Sequence, residues 1–246
     1  MIKRVHMSLP LYITDKYFDF LTEKDINKAS KILGKSFANA EPMCTELKLP
    51  ADDLTGLAKI FIEQSIKDGL NLGCFDQDGE IIGALITRDM STEIDFSNVS
   101  ETLTPIFALL EHLVESSPFW SKSDTANLAL TQQGIGAELF MGGVCEMARN
   151  QGIVGQLTDI LEALLTERKY TYCIAEATSP ITQHLLEKRQ WEKSNHILYP
   201  DFKFTNENVF SNIRIENTIN KDIKLKTDFI NGATFYTKTF DSITDL

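Results

Sequence analysis

The sequence predicts an α/β (α+β) protein, and three observations predict it. Apolar residues recur in some stretches at the two-residue step of strands and in others at the three- and four-residue step of amphipathic helices. The turn Asp76-Gln77-Asp78-Gly79 joins two consecutive apolar runs, so part of the sheet is antiparallel. Residues 138–144 read as a strand that leads, through a glycine-bearing turn at 149–155, into a helix with Leu157, Ile160, Leu161, Leu164 and Leu165 on one face.

Taken in order, residues 1–14 are an extra strand or a loose arm, and 1–16 form an N-terminal extension. Tyr17-Phe18-Asp19-Phe20-Leu21 alternates like a strand. Thr22 caps the helix that follows, with Asp25 as its capping-box partner, and Ile26, Ala29, Ile32, Leu33 and Phe37 form the apolar stripe. Pro42 ends that helix by steering Glu41 out of helical geometry. A second helix runs over about 52–67, with Leu54, Leu57, Ala58, Phe61, Ile62 and Ile66 inward. Strands at 72–75 and 81–88 flank the hairpin turn, 103–114 is a helix, and 118–133 reads as a polar loop around Phe119-Trp120. Beyond the strand and helix already described come a strand at 172–177 and a helix at 180–189. Pro180 suits the first turn of that helix, and Thr178 or Ser179 can cap it. A strand region reaches from Trp191 to Tyr199, and 233–238 is the best strand of the remainder. No repeat, linker or low-complexity segment interrupts the chain, so residues 1–246 are expected to form a single domain.

Composition narrows the function classes. Hydrophobic residues make up 43% and charged residues 24% of the 246, which is ordinary for a soluble globular protein with a sizeable core. A formal net charge of -11 argues against nucleic-acid binding, which needs clustered Lys and Arg. It is compatible with cationic or amine substrates, although a solvated acidic surface accounts for most of it. Cys44, Cys74, Cys145 and Cys173 are scattered and form no Cys-x-x-Cys pair, so neither a metal site nor a disulfide framework is expected. No apolar run approaches the ~18 residues of a membrane span, and residues 1–11 lack the apolar segment of a signal peptide. The expectation is a cytoplasmic protein with no membrane partner.

The turn at 149–155 carries the most chemistry. The first turn of a helix has amides without intrahelical partners, and the helix dipole adds positive potential there. Gly152 and Gly155 let a phosphate approach the main chain, and Arg149 adds a fixed charge. The candidate cofactor-binding set is Gly143, Val144, Arg149, Asn150, Gln151, Gly152, Ile153, Val154, Gly155 and Gln156. The dinucleotide pattern Gly-x-Gly-x-x-Gly and the Gly-x-x-x-x-Gly-Lys phosphate loop are both absent, and Gly134-Ile135-Gly136 precedes a strand instead of following one. A plain glycine turn between a strand and a helix is the competing explanation.

Arg149, Gly152 and Val154-Gly155, with Leu139 and Val144 before them, resemble motif A of the GNAT acyltransferases, the acetyl-CoA-dependent N-acetyltransferase superfamily. The order of elements over roughly 17–240 matches that superfamily apart from the added helix at 103–114. The resemblance implies a mixed, mostly antiparallel sheet of about seven strands with helices on both faces. Its fourth and fifth strands, here 138–144 and 172–177, would splay apart around the pantetheine arm of acetyl-CoA, the co-substrate. Further pieces are similar to the insect-type arylalkylamine (dopamine) N-acetyltransferases. They are Phe37 with Glu41-Pro42-Met43, the helix at 103–114, Thr178-Ser179-Pro180-Ile181-Thr182 leading into 185–191, and Tyr199-Pro200-Asp201-Phe202.

This second resemblance implies acetyl transfer to a small primary amine by direct attack in a ternary complex. It implies Glu41 as the general base and Thr178 and Thr182 as hydroxyls near the sulfur. Each has a plain alternative: a capping carboxylate at Glu41, a helix cap at Thr178, a first-turn residue at Thr182. Glu138 is the understudy base; His184, on the same helix as Thr182, is a proton carrier or a plain surface histidine; and Phe37, Phe119 and Trp120 either line an amine pocket or pack the core. Three positions depart from the superfamily's pattern: Val154 replaces a small residue, Leu186 stands where many members carry a tyrosine acid, and Gln190 replaces a glycine. They keep two other functions in play, a non-catalytic acyl-CoA-binding sensor or interaction module and a protein N-acetyltransferase. The insertion at 103–133 weighs against the latter. A homodimer is left open.

Overall fold

The computed structural model describes residues 8–122, 124–213 and 231–240. Its strands are β1 (Leu11–Ile13), β2 (Lys16–Phe20), β3 (Leu72–Asp76), β4 (Ile81–Asp89), β5 (Gly136–Val144), β6 (Tyr172–Ala177), β7 (Glu192–Leu198) and β8 (Gly232–Thr239). They form one sheet in the order β1-β2-β3-β4-β5-β6-β8-β7. Every neighbouring pair is antiparallel except β5–β6. The helices are α1 (Ile26–Ala40), α2 (Pro42–Glu46), α3 (Ala51–Ser65), α4 (Thr104–Glu115), α5 (Pro118–Lys122), α6 (Asp124–Ala129), α7 (Ile153–Glu167) and α8 (Pro180–Lys188). None of the described helices is long and apolar enough to cross a membrane.

Alternation along each strand sorts the core into layers. On one face Ala137, Leu139, Cys173 and Ala175 pack under Leu157, Leu161 and Leu164 of α7 and Leu186 of α8. On the other, α1 and α3 cover β4 and β5, and α4 to α6 extend that layer over Tyr172, Ile174 and Phe235 of β6 and β8. α1 and α3 approach closely because Gly34 has no side chain: a β-carbon there would lie 2.1 Å from Thr55 Oγ1 and 2.6 Å from the Thr55 amide nitrogen.

The structure refines several expectations and overturns one. The sheet has eight strands, because the N-terminal arm supplies β1 as a hairpin partner of β2, with Leu11 opposite Phe18; residues 1–7 lie outside the described residues. The Thr22–Asp25 box forms, the Thr22 amide and hydroxyl donating to Asp25 Oδ2 at 2.9 and 2.6 Å. It opens a 3₁₀ turn, Glu23–Asp25, that runs on into α1. The stretch 118–133 is not a loop around Phe119-Trp120: it carries α5 and α6, each too short to display helical periodicity in sequence. α2, one turn opened by Pro42, is short for the same reason.

Candidate active site

β5 and β6 pair only over Gly136–Leu139 and Tyr172–Ala175. Beyond Leu139 and Ala175 each runs on without the other, which leaves a wedge between 140–144 and 176–177. A bulge coincides with the fork: Ile86 of β4 faces Met141, Thr87 faces Leu139, and Phe140 between them has no partner. The extra residue re-aims the strand. Phe140 stacks on Phe61 with centroids 3.6 Å apart, and Met141 joins the α1–α3 layer, whereas Leu139 belonged to the α7 layer. Two successive glycines then admit a helix from each side. A β-carbon on Gly142 would meet Val154 Cγ1 of α7 at 3.2 Å, and one on Gly143 would meet Ser36 of α1 at 3.0 Å. Val144 packs in the α7 layer.

The turn into α7 has two left-handed positions, Asn150 at φ 62° and Gly152 at φ 71°. The Gln156 amide donates to Gly152 O at 3.0 Å, and the amides of Ile153, Val154 and Gly155 have no acceptor among the described residues. A β-carbon on Gly152 would meet nothing within 4 Å, so the helix start faces open space there. Gln156 Oε1 is buried without a partner among the described residues. Arg149 is exposed beside the turn, and Lys16 Nζ reaches it from β2 by donating to Gln151 Oε1 at 2.8 Å. Gly155 differs from Gly152. Its bare α-carbon is turned to Arg189, whose Nη2 donates to Gly155 O at 2.8 Å and would lie 2.8 Å from an added β-carbon. Only Gly152 of the two glycines opens onto free space.

On the α1–α3 side of the fork lies a cavity of about 60 Å³. Its walls are apolar, among them Phe37, Leu57, Ile106, Phe107, Phe140 and Met141, and its polar groups are Glu41, Cys44, Glu176 and Thr178. Glu41 ends α1, its amide donating to Phe37 O at 2.9 Å. It also caps α2, Oε2 accepting from the Cys44 amide at 2.6 Å. The capping explanation therefore holds for one oxygen. The other, Oε1, is buried with no partner among the described residues, in a side chain of a residue only 7% exposed. Burial raises the Glu41 carboxyl above its ordinary range, against the lowering effect of the Cys44 thiol, the Cys44 and Met43 amides and the nearby Thr178 hydroxyl.

The structure separates the two threonines. Ser179 caps α8, accepting from the Thr182 amide at 3.2 Å and pairing with the Thr182 hydroxyl at 2.9 Å. Thr182 is thus held in the cap and is absent from the cavity wall. Thr178 is released from capping and lines the cavity beside Glu41, while its carbonyl accepts from the buried Tyr199 hydroxyl. Glu138 is held by Arg88, Nε to Oε2 at 2.6 Å, with Arg88 Nη1 also donating to Thr92 O. Leu186 is fully buried in the α7–α8 core, and His184 is exposed on α8. Phe37 lines the cavity, whereas Phe119 and Trp120 pack beyond it near Tyr172 and Phe235.

Sequence reasoning missed Glu176, a half-buried carboxyl in the cavity wall. Burial, and next the charge of Glu138, push it up to about 8, partly offset by a hydrogen bond from its own backbone amide and then by Arg88. The signal was a lone charge inside the buried run Tyr172-Cys173-Ile174-Ala175-Glu176-Ala177, on the same face as Tyr172 and Ile174. A larger, open depression of about 510 Å³ is lined by His112, His196, Asp201 and Lys203 among others. It shares no residue with the fork, the α7 turn or the Glu41 cavity, and carries no comparable constellation.

No protein-family model matches the chain. Among solved structures, the C-terminal condensation domain of Ebony in complex with beta-alanyl-dopamine is 15% identical, with 92% of this chain and 100% of that one covered and a TM-score of 0.71. Arylalkylamine N-acetyltransferase 2 from Aedes aegypti is 16% identical over 93% of this chain and 100% of that one, with a TM-score of 0.69. The Drosophila melanogaster polyamine N-acetyltransferase, an enzyme that catalyses the formation of N-acetylagmatine, is 12% identical over 92% and 100%, at 0.56. At these identities the likeness is one of fold. The chain has the fold of the GNAT acetyltransferases, with the arrangement also found in their insect arylalkylamine branch.

Proposed function

We propose that the protein transfers an acetyl group from acetyl-CoA to a small primary amine, by direct attack in a ternary complex. The observation that carries the reading is the orphaned Glu41 Oε1, a buried carboxyl oxygen facing an apolar cavity beside the fork of β5 and β6. An ammonium must lose a proton before its nitrogen can attack a thioester. A base whose pKa is raised toward neutrality suits that step, and well-placed bases contribute about 10²- to 10⁴-fold. The likeness to arylalkylamine and polyamine N-acetyltransferase structures supports the same substrate class.

The residues fit the co-substrate. The unpaired amides of 153–155, the open face of Gly152 and the charge of Arg149 would hold the pyrophosphate. The wedge between 140–144 and 176–177 would pass the pantetheine arm, and main-chain groups of β5 freed from β6 would be offered to the oxyanion. Acetyl-CoA supplies the activated acyl group; Glu41 receives the amine's proton, and Thr178 stands beside it. Of the departures that favoured a non-catalytic binder, Val154 leaves the helix start clear because it packs on Gly142, and Leu186 lies in the core.

The test is free-thiol release from acetyl-CoA with arylalkylamines, polyamines, amino acids and aminoglycosides. Turnover is expected with at least one amine. Tight acyl-CoA binding without turnover on any of them would establish a non-catalytic binder instead.

A further inference from the structure

The proposed reaction leaves one proton without a source. An alkyl thiol leaves a tetrahedral centre best when it is protonated as it departs, and Leu186 has no proton to give. We propose that Glu176 is the general acid that protonates the departing sulfur, an assignment that rests on the acetyltransferase reading above.

The geometry points to Glu176 in three ways. It is the first residue of β6 past the last β5–β6 pair, Leu139 with Ala175, and so stands at the fork through which a pantetheine thioester would enter. It lines the same cavity as Glu41 and Thr178, which places an acid and a base on one acceptor space. Its side chain also holds no other part of the fold in place. No cation or donor of another described residue is hydrogen-bonded to it, in contrast to Glu138, which Arg88 holds at 2.6 Å.

The charged and titratable groups around it come from every side of the fork. Glu41 and Cys44 stand on the α1–α2 junction, Glu138 on β5 and Arg88 on β4. The Tyr199 hydroxyl nearby is committed to the Thr178 carbonyl. Burial and the Glu138 charge raise the Glu176 carboxyl to about 8, so it carries its proton at neutral pH.

The proton balance then closes. Glu41 takes one proton from the ammonium, and the freed nitrogen pair forms the C–N bond. As the C–S bond breaks, its electron pair stays on sulfur and Glu176 gives that sulfur its proton. The nitrogen's second proton passes to the Glu176 carboxylate, restoring the acid, and Glu41 releases its proton to solvent. Ammonium and thioester have become amide, thiol and one proton.

The experiment measures kcat against pH for the full chain with an accepted amine, using two donors. One is acetyl-CoA; the other is S-acetyl 4-nitrothiophenol, whose leaving thiol is acidic enough to depart unprotonated. With acetyl-CoA the parent's kcat is expected to fall as pH rises through about 8. Glu176→Gln should lower it by about 10²-fold or more, lose that basic limb, and keep a near-parent rate with the aryl thioester. Glu176→Asp, still an acid, should recover part of the rate. Parent-like kcat in Glu176→Gln, a basic limb that survives in it, or an equal loss with both donors would overturn the assignment. If Glu176→Gln melts as an unfolded chain, the parent alone decides: a basic limb with acetyl-CoA that is absent with the aryl thioester supports the proposal, and any other pattern overturns it. Absence of thiol release from the parent with every amine is a different failure, because it removes the acetyltransferase reading itself.

Discussion

Gly142 of β5 lies directly beneath Val154 of α7, so that an added β-carbon would stand 3.2 Å from Val154 Cγ1 and 2.9 Å from Leu85 Cδ1. The bulky residue in the α7 turn is thus accommodated by a missing side chain on the strand, and it points into the core, not at the open start of the helix. Gly142→Ala should overpack this contact and destabilise the protein by about 1–3 kcal/mol. In a Val154→Ala background part of that cost should vanish, while the Leu85 contact retains the rest. Thermal melts of the four-member cycle measure the coupling, and strict additivity would show that the two positions do not share the space.

Gly34 predicts a larger effect. Its added β-carbon would meet the Thr55 amide nitrogen at 2.6 Å and Ala51 O at 2.8 Å, main-chain atoms that cannot swing away. Gly34→Ala should cost about 3 kcal/mol and push α1, which ends at Glu41, off α3. Gly56 is the internal control: nothing lies within 4 Å of its added β-carbon. Gly56→Ala should therefore stabilise α3, by up to about 1 kcal/mol. Denaturant midpoints that move in the same direction for both variants would contradict the packing described.

The α7 turn separates its two glycines by experiment. Gly152→Val faces open space but forces a side chain onto φ 71°, at about 1–2 kcal/mol of strain, and should raise the Kd for CoA well beyond what that strain explains. Gly155→Val should instead displace Arg189, which also pairs with Asp159 at 2.7 Å, and lower the melting temperature chiefly. At ~100 times its Kd, CoA should add about 2.7 kcal/mol to the parent's stability. Thermal shifts with and without CoA read both effects, and an unshifted parent would remove the phosphate site from this turn.

How far the site was legible in sequence depends on whether the signal was local. The hairpin at 76–79 and the passage from β5 to α7 were legible because turn residues and periodicity state them within a dozen positions. Glu41 was legible through Pro42, which fixes where α1 must stop. The bulge at Phe140 was not, because it is a mismatch of register between β4 and β5 and neither strand alone records it. The insertion of β8 between β6 and β7 is likewise a non-local pairing, Ile174 with Thr237 and His196 with Thr234. Thr178 and Thr182 looked equivalent as hydroxyls near a helix start. Which one caps was settled by Ser179, and only the three-dimensional cap shows that Thr178 is the one turned to Glu41.

Glu176 leaves a signature in stability as well as rate. Its folded pKa of about 8 lies above the ordinary 4.5, so between those values the folded state holds a proton that the unfolded chain releases. Stability from this group is therefore highest below pH 4.5, falls as pH rises toward 8, and is level above it. Glu176→Gln abolishes the slope. The variant's gain in melting temperature over the parent should grow across that window and plateau above pH 8. Melts from pH 5 to 9 check the sign, and a gain that shrinks with rising pH would contradict the raised pKa.

Glu41 carries the last prediction, which separates structure from catalysis at a single residue. Glu41→Gln keeps an amide oxygen to accept from the Cys44 amide, so the α2 cap survives, and it removes a charge that burial disfavours. The variant should be at least as stable as the parent above the raised Glu41 pKa, with the difference closing as pH falls and the parent's carboxyl protonates. CoA affinity should be unchanged, because Glu41 lines the cavity beside Thr178 and Glu176, away from the Gly152 turn that opens α7. Turnover should drop by about 10²-fold or more near neutral pH, and the loss relative to the parent should shrink at high pH, where more of the amine is already neutral. Thr178→Val supplies the complementary change: it removes the hydroxyl that lowers the Glu41 pKa and leaves the α8 cap to Ser179. The acid limb of its kcat profile should therefore move to higher pH while the rate plateau falls less than in Glu41→Gln. A folded, CoA-binding Glu41→Gln that turns over like the parent would transfer the base's role to solvent and leave Glu41 as a cap alone.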